Sequence, residues 1–378
     1  MNRPWTSADG STKSGSLGAQ PEWYFYRLRE RFADFGKVWD ELNEHLYHGH
    51  PLLDSCFVGS CVRHFATAAD VLAVQGVPQR PEGMVLLTRV RPGVSRTFLP
   101  PQAHIAPVLI HSSASAGGLL HGLPSYNLWL EFLCQDPEYS CFSSERMEHT
   151  YERLAHAITT RVRLHGEFEA YWSSRSKKLR QNVRRYHRWL AEDGCLLRLE
   201  LVTHPKKLAE ALRRYGDLES RGWKGIEGSA IHWRNPQGRF YHDVLQCFAR
   251  KEQAAIYELY CNDRLAAALM TIASNRMLVL LKTTYDISLA KYSPGRLMIY
   301  ELLKKEFREK HFDAVEFYTS ATPLLLSWAT DVRAIEHVTV YRASWCKQVI
   351  ALGRRGRKII SRLRDTGREY WDRLDRGQ

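Results

Sequence analysis

The chain has 378 residues, ordinary apolar content and a net charge of +13, which excludes a wholly disordered protein and leaves room for two cores. No apolar run approaches the ~20 residues that span a bilayer. The charge is concentrated: residues 161–188 hold nine Lys/Arg against two Glu, residues 346–378 hold ten against four acids, and these two stretches account for the whole excess, so an anionic partner is expected at those two places.

Residues 1–20 are rich in Ser, Gly and Thr, with no apolar centre; they read as a disordered tail rather than a signal peptide, which points to the cytoplasm. Residues 27–46 carry apolar side chains at Leu28, Phe32, Phe35, Val38, Trp39 and Leu42, a helical spacing. His45, His48 and His50 follow, but no acid or Cys completes a metal site, so a helix end is expected there. Residues 56–65 and 71–77 are apolar, and 83–90, 97–99 and 105–110 read as strands punctuated by Pro and Gly. Residues 119–133 read as a strand and turn, stopped at Pro137 in Cys134-Gln-Asp-Pro. Residues 138–157 start polar and then read as helical. A boundary within 136–167 divides a first domain, 21–160, from a second, 161–345, with a basic helical tail at 346–378.

The second block begins with one expected helix over 168–193, apolar at Tyr171, Trp172, Leu179, Val183, Tyr186, Trp189 and Leu190 and basic on its other faces. A strand over 195–202 and a helix over 205–220 follow, with Pro205 in the first turn. The helix runs into Glu219-Ser-Arg-Gly-Trp-Lys-Gly225. Trp223 and Lys224, flanked by glycines in a loop, read either as ligand contacts or as a core Trp beside a solvated Lys. After a helix over 237–251 come three strand-like runs, 255–261, 264–273 and 276–285, joined at Asn262-Asp263 and Ser274-Asn275, which suit tight turns. Together they form an antiparallel meander. A helix over 294–310, a short strand over 314–318 and a last strand over 337–342 complete the chain. The eight cysteines show neither Cys-x-x-Cys nor zinc-finger spacing; reduced thiols and no metal are expected.

The third meander strand leads through a short loop into Ser293-Pro-Gly-Arg296. A helix starting there presents unpaired N–H groups and the positive end of its dipole, a candidate anion cradle. The alternative is a well-capped helix, because Ser before Pro is also good capping chemistry.

This order of elements, with Ser176-Lys-Lys-Leu-Arg-Gln-Asn-Val-Arg-Arg185, then Glu219 to Gly225, then Tyr285-Asp286 and Tyr292-Ser-Pro-Gly295, resembles the CelD/BcsL-type acetyltransferases, GNAT-superfamily proteins related to the FemAB aminoacyltransferases. The resemblance covers residues 168–342, and the stretches 52–72 and 135–137 resemble that family's first half. It implies an α/β fold of tandem GNAT-like domains, mixed sheets flanked by helices, the first domain degenerate. It implies an acyltransferase using acetyl-CoA or another acyl-CoA, without metal, acting on an amine or hydroxyl of a small-molecule or saccharide acceptor in cellulose or exopolysaccharide production. On this reading Ser293, Pro294, Gly295 and Arg296 hold the pyrophosphate. A backbone N–H within 282–285 polarises the thioester carbonyl. Asp286 and Glu219 are candidate bases, Tyr285 and Tyr318 candidate proton donors, and Trp223, Lys224 and Lys282 candidate substrate contacts; Glu258 faces either the cleft or solvent. The family's Gly-Asp and Tyr-Lys phrases are absent after Tyr318, where Thr319 to Ser327 stands instead. Two alternatives stay open: a Fem-like transferase that takes charged tRNA on the basic helix, and an inactive accessory protein that binds a polyanion or membrane. The tail's Ile359, Ile360, Leu363, Tyr370, Trp371 and Leu374 form a stripe that either lies on an anionic membrane face or docks on the protein itself.

Overall fold

A computed structural model describes residues 22–143, 150–222, 230–232 and 234–348. The expectations for the N-terminal tail, for Trp223 and Lys224 and for the basic tail beyond residue 348 lie outside the described residues.

The first half runs β1 (Trp23–Arg27), α1 (Leu28–Tyr47), α2 (Ser55–Phe65), β2 (Asp70–Val77), β3 (Arg80–Arg91), β4 (Val94–Thr97), β5 (Val108–Ile110), α3 (Ser113–Gly122), β6 (Trp129–Gln135) and β7 (Tyr151–Arg163). The second runs α4 (Phe168–Ser174), α5 (Lys177–Glu192), β8 (Leu197–Val202), α6 (Pro205–Ser220), α7 (Pro236–Ala249), β9 (Ala254–Cys261), β10 (Arg264–Ser274), β11 (Met277–Tyr285), α8 (Pro294–Glu309), β12 (Ala314–Glu316), α9 (Pro323–Trp328) and β13 (Asp331–Tyr341). His48 closes α1 in the left-handed region (φ 52°), returning its N–H to the last carbonyls, so the histidine cluster marks a helix end as expected.

Several expectations give way. The single helix over 168–193 breaks at Arg175, because Ser176 caps a new helix by accepting from the Leu179 N–H at 3.2 Å. Residues 119–133 divide into the end of α3 and β6, since Ser112 caps a helix upstream. Residues 151–157, read as helical, are the start of β7; pairing with a distant strand overrides local preference there. The last strand starts at Asp331, six residues earlier than expected.

The strands form one 13-stranded sheet in the order β1-β2-β3-β4-β6-β13-β7-β12-β11-β10-β9-β8, with β5 beside β3. Read inward from either edge the pattern repeats. Four antiparallel strands come first, then a parallel neighbour (β4 with β6, β11 with β12), then an antiparallel strand from the other half. β13, from the C-terminal half, pairs with β6; β7, from the N-terminal half, pairs with β12. The halves have exchanged strands.

Alternate strand residues feed different cores. Leu72, Val74, Met84 and Leu86 share one core with Ile256, Met270 and Val279, covered by α1, α2, α6 and α7. The opposite face has two separate cores, one under α3 and one under α4, α5 and α8. The first core therefore spans both halves, with Phe57 of α2 edge-on to Phe240 of α7 at 5.7 Å. Four of the eight cysteines pair: Cys56 with Cys247, and Cys195 with Cys261. This corrects the expectation of reduced thiols throughout. The fold brings their Cα atoms to 5.6 and 5.5 Å, within disulfide reach, although 191 and 66 residues separate them in sequence.

Candidate active site

β11 and β12 pair only where Met277–Val279 face Ala314–Glu316. β12 then stops while β11 continues to Tyr285. Among the described residues, strand pairing on that edge of β11 ends at Val279. On its other edge β11 slips against β10: Met270 faces Lys282 and Thr271 faces Leu280, so Leu281 is an extra, bulged residue. Bulges re-aim side chains beside functional clefts.

β11 ends in a tightly held turn. Asp286 accepts from the Ser288 N–H at 2.9 Å, the Ser288 hydroxyl at 2.8 Å and Arg264 Nε at 2.9 Å. Burial raises its pKa, but these donors outweigh burial and hold the carboxyl below its ordinary range. Asp286, expected as a base or acceptor-binding acid, thus has its oxygens committed to shaping the turn. Lys291 donates to Asp193 at the end of α5 at 2.7 Å, and the Tyr292 hydroxyl donates to the same carboxylate. These contacts fasten the turn to α5.

The entrance to α8 is unusual. Ser293 sits in the left-handed region (φ 53°, ψ 58°) and its side chain makes no capping bond. That conformation costs a non-glycine residue roughly 1–2 kcal/mol. Pro294 has no N–H, so Gly295 carries the first free donor of the helix. Arg296 Nη1 donates to the Tyr186 hydroxyl at 2.8 Å. In the first half, α3 occupies the same place, between the two strands of the parallel pair. There Ser112 is extended (φ −145°) and accepts from the Ser115 N–H at 3.3 Å. One entrance is capped by its own serine; the other is strained and open. Tyr285 lies half-exposed next to Gly295, where an added Cβ would be 3.7 Å from its ring.

Glu219 is buried at the end of α6 and accepts from the Ile231 N–H at 2.6 Å, with the Tyr215 hydroxyl 3.5 Å away. It anchors the far side of the segment that contains Trp223 and Lys224. Glu258 faces neither cleft nor solvent. It is buried, with Arg214 on both oxygens at 2.9 Å and the Tyr260 hydroxyl at 3.0 Å.

Lys282 approaches the N-terminal half. Burial first, and the Lys282 charge second, lower the pKa of His104 to about 4, so the ring is neutral at pH 7. His104 lines a cavity of about 370 Å³ at the junction of the halves, with Pro100, Cys134, His156, Thr319 and Ser320. Its wall includes Tyr318, which is left-handed (φ 40°) and heads a buried polar chain. His50 accepts the Leu52 N–H on Nδ1 at 3.2 Å, so its Nε2–H donates to the Tyr318 hydroxyl at 2.7 Å. Tyr318 donates to Asp136 at 2.8 Å. Arg333 grips Asp136 through Nε and Nη2 and reaches Glu316 at 3.0 Å. Arg161 lies 3.5 Å from Glu316 and also pairs with Glu138. Burial brings His50 down to about 3 and Glu316 up to about 7, the two arginines opposing the second shift. Tyr318, expected as a thiolate acid, has its proton committed to Asp136.

The cradle, Tyr285 and Lys282 all lie along β11 and its exit, while Glu219 sits apart at the end of α6. His104, Arg333 and Glu316 gave no sequence signal. The buried chain they belong to joins segments up to 268 residues apart, as His50 and Tyr318 are, and only the Gln135-Asp-Pro phrase hinted at any of it.

Residues 177–324 match the family model for the Acetyltransferase (GNAT) domain. This stretch runs from the start of α5 through the cradle into α9. No curated protein matches the sequence. FemX is similar in fold, with a TM-score of 0.56 at 10% identity over 81% of this chain and 96% of its own. So is a conserved protein of unknown function from Bacteroides thetaiotaomicron VPI-5482, at 0.53 and 11% over 84% and 99%. A C-terminal DUF2156 domain from Agrobacterium fabrum, named for a lysylphosphatidylglycerol synthetase, gives 0.52 at 10% over 85% and 96%. At these identities the likeness is one of fold. The matches reach the GNAT and FemX-like level, and the narrower CelD/BcsL resemblance rests on sequence phrases alone.

Proposed function

We propose that this chain is an acyltransferase that moves an acetyl or other acyl group from a CoA thioester to an amine or hydroxyl of a small-molecule or saccharide acceptor, in exopolysaccharide or cellulose production. The open, strained entrance of α8 carries the reading: an uncapped helix N-terminus with a glycine N–H and a guanidinium, at the end of the strand that outruns β12. Gly295 and Arg296, shaped by Ser293 and Pro294, hold the pyrophosphate. The part of β11 that runs on past β12 lies beside the amides of the pantetheine arm, in the manner of an added strand. Backbone N–H groups past the Leu281 bulge polarise the carbonyl.

The acceptor enters the junction cavity, against Thr319 and Ser320, with the Lys282 charge acting on His104 at its wall. His104, neutral and within that cavity, takes the acceptor's proton. Tyr285 returns a proton to the leaving thiolate. Asp286 positions the cradle, Glu219 fixes the end of α6, and Trp223 and Lys224 contact the substrate. Calorimetric titration with CoA tests the cradle. Micromolar binding is expected in the parent, weakened at least tenfold by Arg296→Glu, and a parent that neither binds CoA nor releases it from acetyl-CoA across amine and sugar acceptors overturns the proposal.

A second reading follows from α5. Lys177, Lys178, Arg184, Arg185 and Arg188 are exposed along it, a spacing suited to nucleic-acid phosphates, and the fold is FemX-like. Aminoacyl-tRNA would then be the donor. Binding of charged tRNA that falls steeply with salt distinguishes it. Among the described residues no helix is long and apolar enough to cross a membrane; peripheral attachment at the inner membrane face through the basic tail is part of the proposal.

A further inference from the structure

Three neighbouring strands lose register at one level of the sheet. Between β13 and β6, Glu336 pairs with Gln135 and pairing resumes at Val338 with Phe132, leaving His337 against Leu133 and Cys134. Between β13 and β7, Ile335 pairs with Ala157 but Glu336 pairs with Ala155, stepping over His156. The skipped residues meet. One ligand atom from each of Cys134, His156 and His337 lies within 4.8 Å of the others. The two imidazoles stack at 4.2 Å. Cys134 is left-handed (φ 43°), a strained state for a side chain of its kind, and its thiol takes no part in a disulfide. Cys134 and His156 also line the junction cavity.

We infer that Cys134, His156 and His337 form a binding site for a zinc-class divalent cation. A thiolate with two imidazoles is a donor set that such ions favour, and three protein ligands leave a coordination position open toward the cavity. Coincident bulges in adjacent strands bring the three side chains to one point. The ion replaces the thiol proton, which passes to solvent. His337 Nδ1 accepts the Cys134 N–H at 3.0 Å, so Nε2 carries the ring proton in the ion-free protein; an ion at Nδ1 displaces that hydrogen bond, and one at Nε2 moves the proton to Nδ1. The site is separate from the α8 cradle and stands whether or not acyl transfer does.

Anaerobic titration of the untagged full chain with cobalt(II), without reductant, tests the inference. One equivalent is expected to bind at micromolar concentration or below, with a thiolate-to-cobalt charge-transfer band in the near ultraviolet. Cys134→Ser removes the band. His156→Ala, at an exposed position that the fold tolerates, weakens binding at least tenfold. Cys61→Ser, at a buried thiol elsewhere, changes neither. No band at saturating cobalt, a band that survives Cys134→Ser, or unchanged affinity in His156→Ala overturns it.

Discussion

Arg333 serves two buried carboxylates at once, and the arrangement makes stability depend on pH. Glu316 has no solvent exposure, and burial pushes its pKa up to about 7 against the pull of Arg333 and Arg161. A carboxyl whose folded value exceeds its unfolded one binds its proton better in the folded protein. Its contribution is complete below the unfolded value of 4.5 and fades as pH rises through about 7. Stability is therefore expected to fall between pH 5 and pH 8, and Glu316→Gln, neutral at both, to flatten that fall. Urea denaturation at the two pH values checks this; an unchanged slope in the variant rejects Glu316 as the source. Tyr318→Phe tests the same chain from its other end. It deprives the buried His50 Nε2–H of its acceptor and Asp136 of a donor, so a loss of about 1–3 kcal/mol is expected in the same measurement. At the cavity, His104→Asn is expected to lower kcat by roughly 100-fold or more with KM for acyl-CoA little changed, the signature of a lost general base.

The strain of Ser293 belongs to the entrance of α8, and its relief is measurable. Glycine adopts the left-handed region freely, so Ser293→Gly is expected to stabilise the fold by on the order of 1 kcal/mol in denaturant titration. A destabilised variant would mean that the serine hydroxyl does more than the contacts described. Much of this level was legible in the sequence. The apolar spacing of α1 and α6 and the Asn-Asp and Ser-Asn turns of the meander gave those elements nearly to the residue, because local periodicity and local turn chemistry determine them. β7 was not legible. Leu154 and Ile158 face outward while the neighbouring Thr159 and Thr160 are buried, so its burial follows its partners β12 and β13 rather than its own alternation. The cradle was visible as Ser293-Pro-Gly295, but its open state was not, since the same three residues also spell a good cap. The junction cavity and the Cys134, His156 and His337 cluster depend on pairings across most of the chain, and no spacing rule reaches that far. The same is true of the disulfides. Joint Cys56→Ser and Cys247→Ser substitution unties α2 from α7 and is expected to cost about 2–4 kcal/mol.

At the scale of the whole molecule the two halves are one folding unit. A shared core runs under α1, α2, α6 and α7, and β13 lies between β6 and β7. A chain ending after Trp328 lacks β13, and β6 and β7 then expose backbone edges that only β13 covers. Such a truncation is expected to be insoluble or to lack near-ultraviolet circular dichroism, whereas two independent domains would leave the first half intact. The exchanged strand also sets a schedule for synthesis. When the ribosome has released β1 to β7, the slot between β6 and β7 stays vacant while the next 167 residues, up to the start of β13, are made. The nascent protein has to carry two sticky strand edges through nearly half of its own translation, so slow elongation or scarce chaperone is predicted to lower the yield of this protein more than that of one whose halves close in turn.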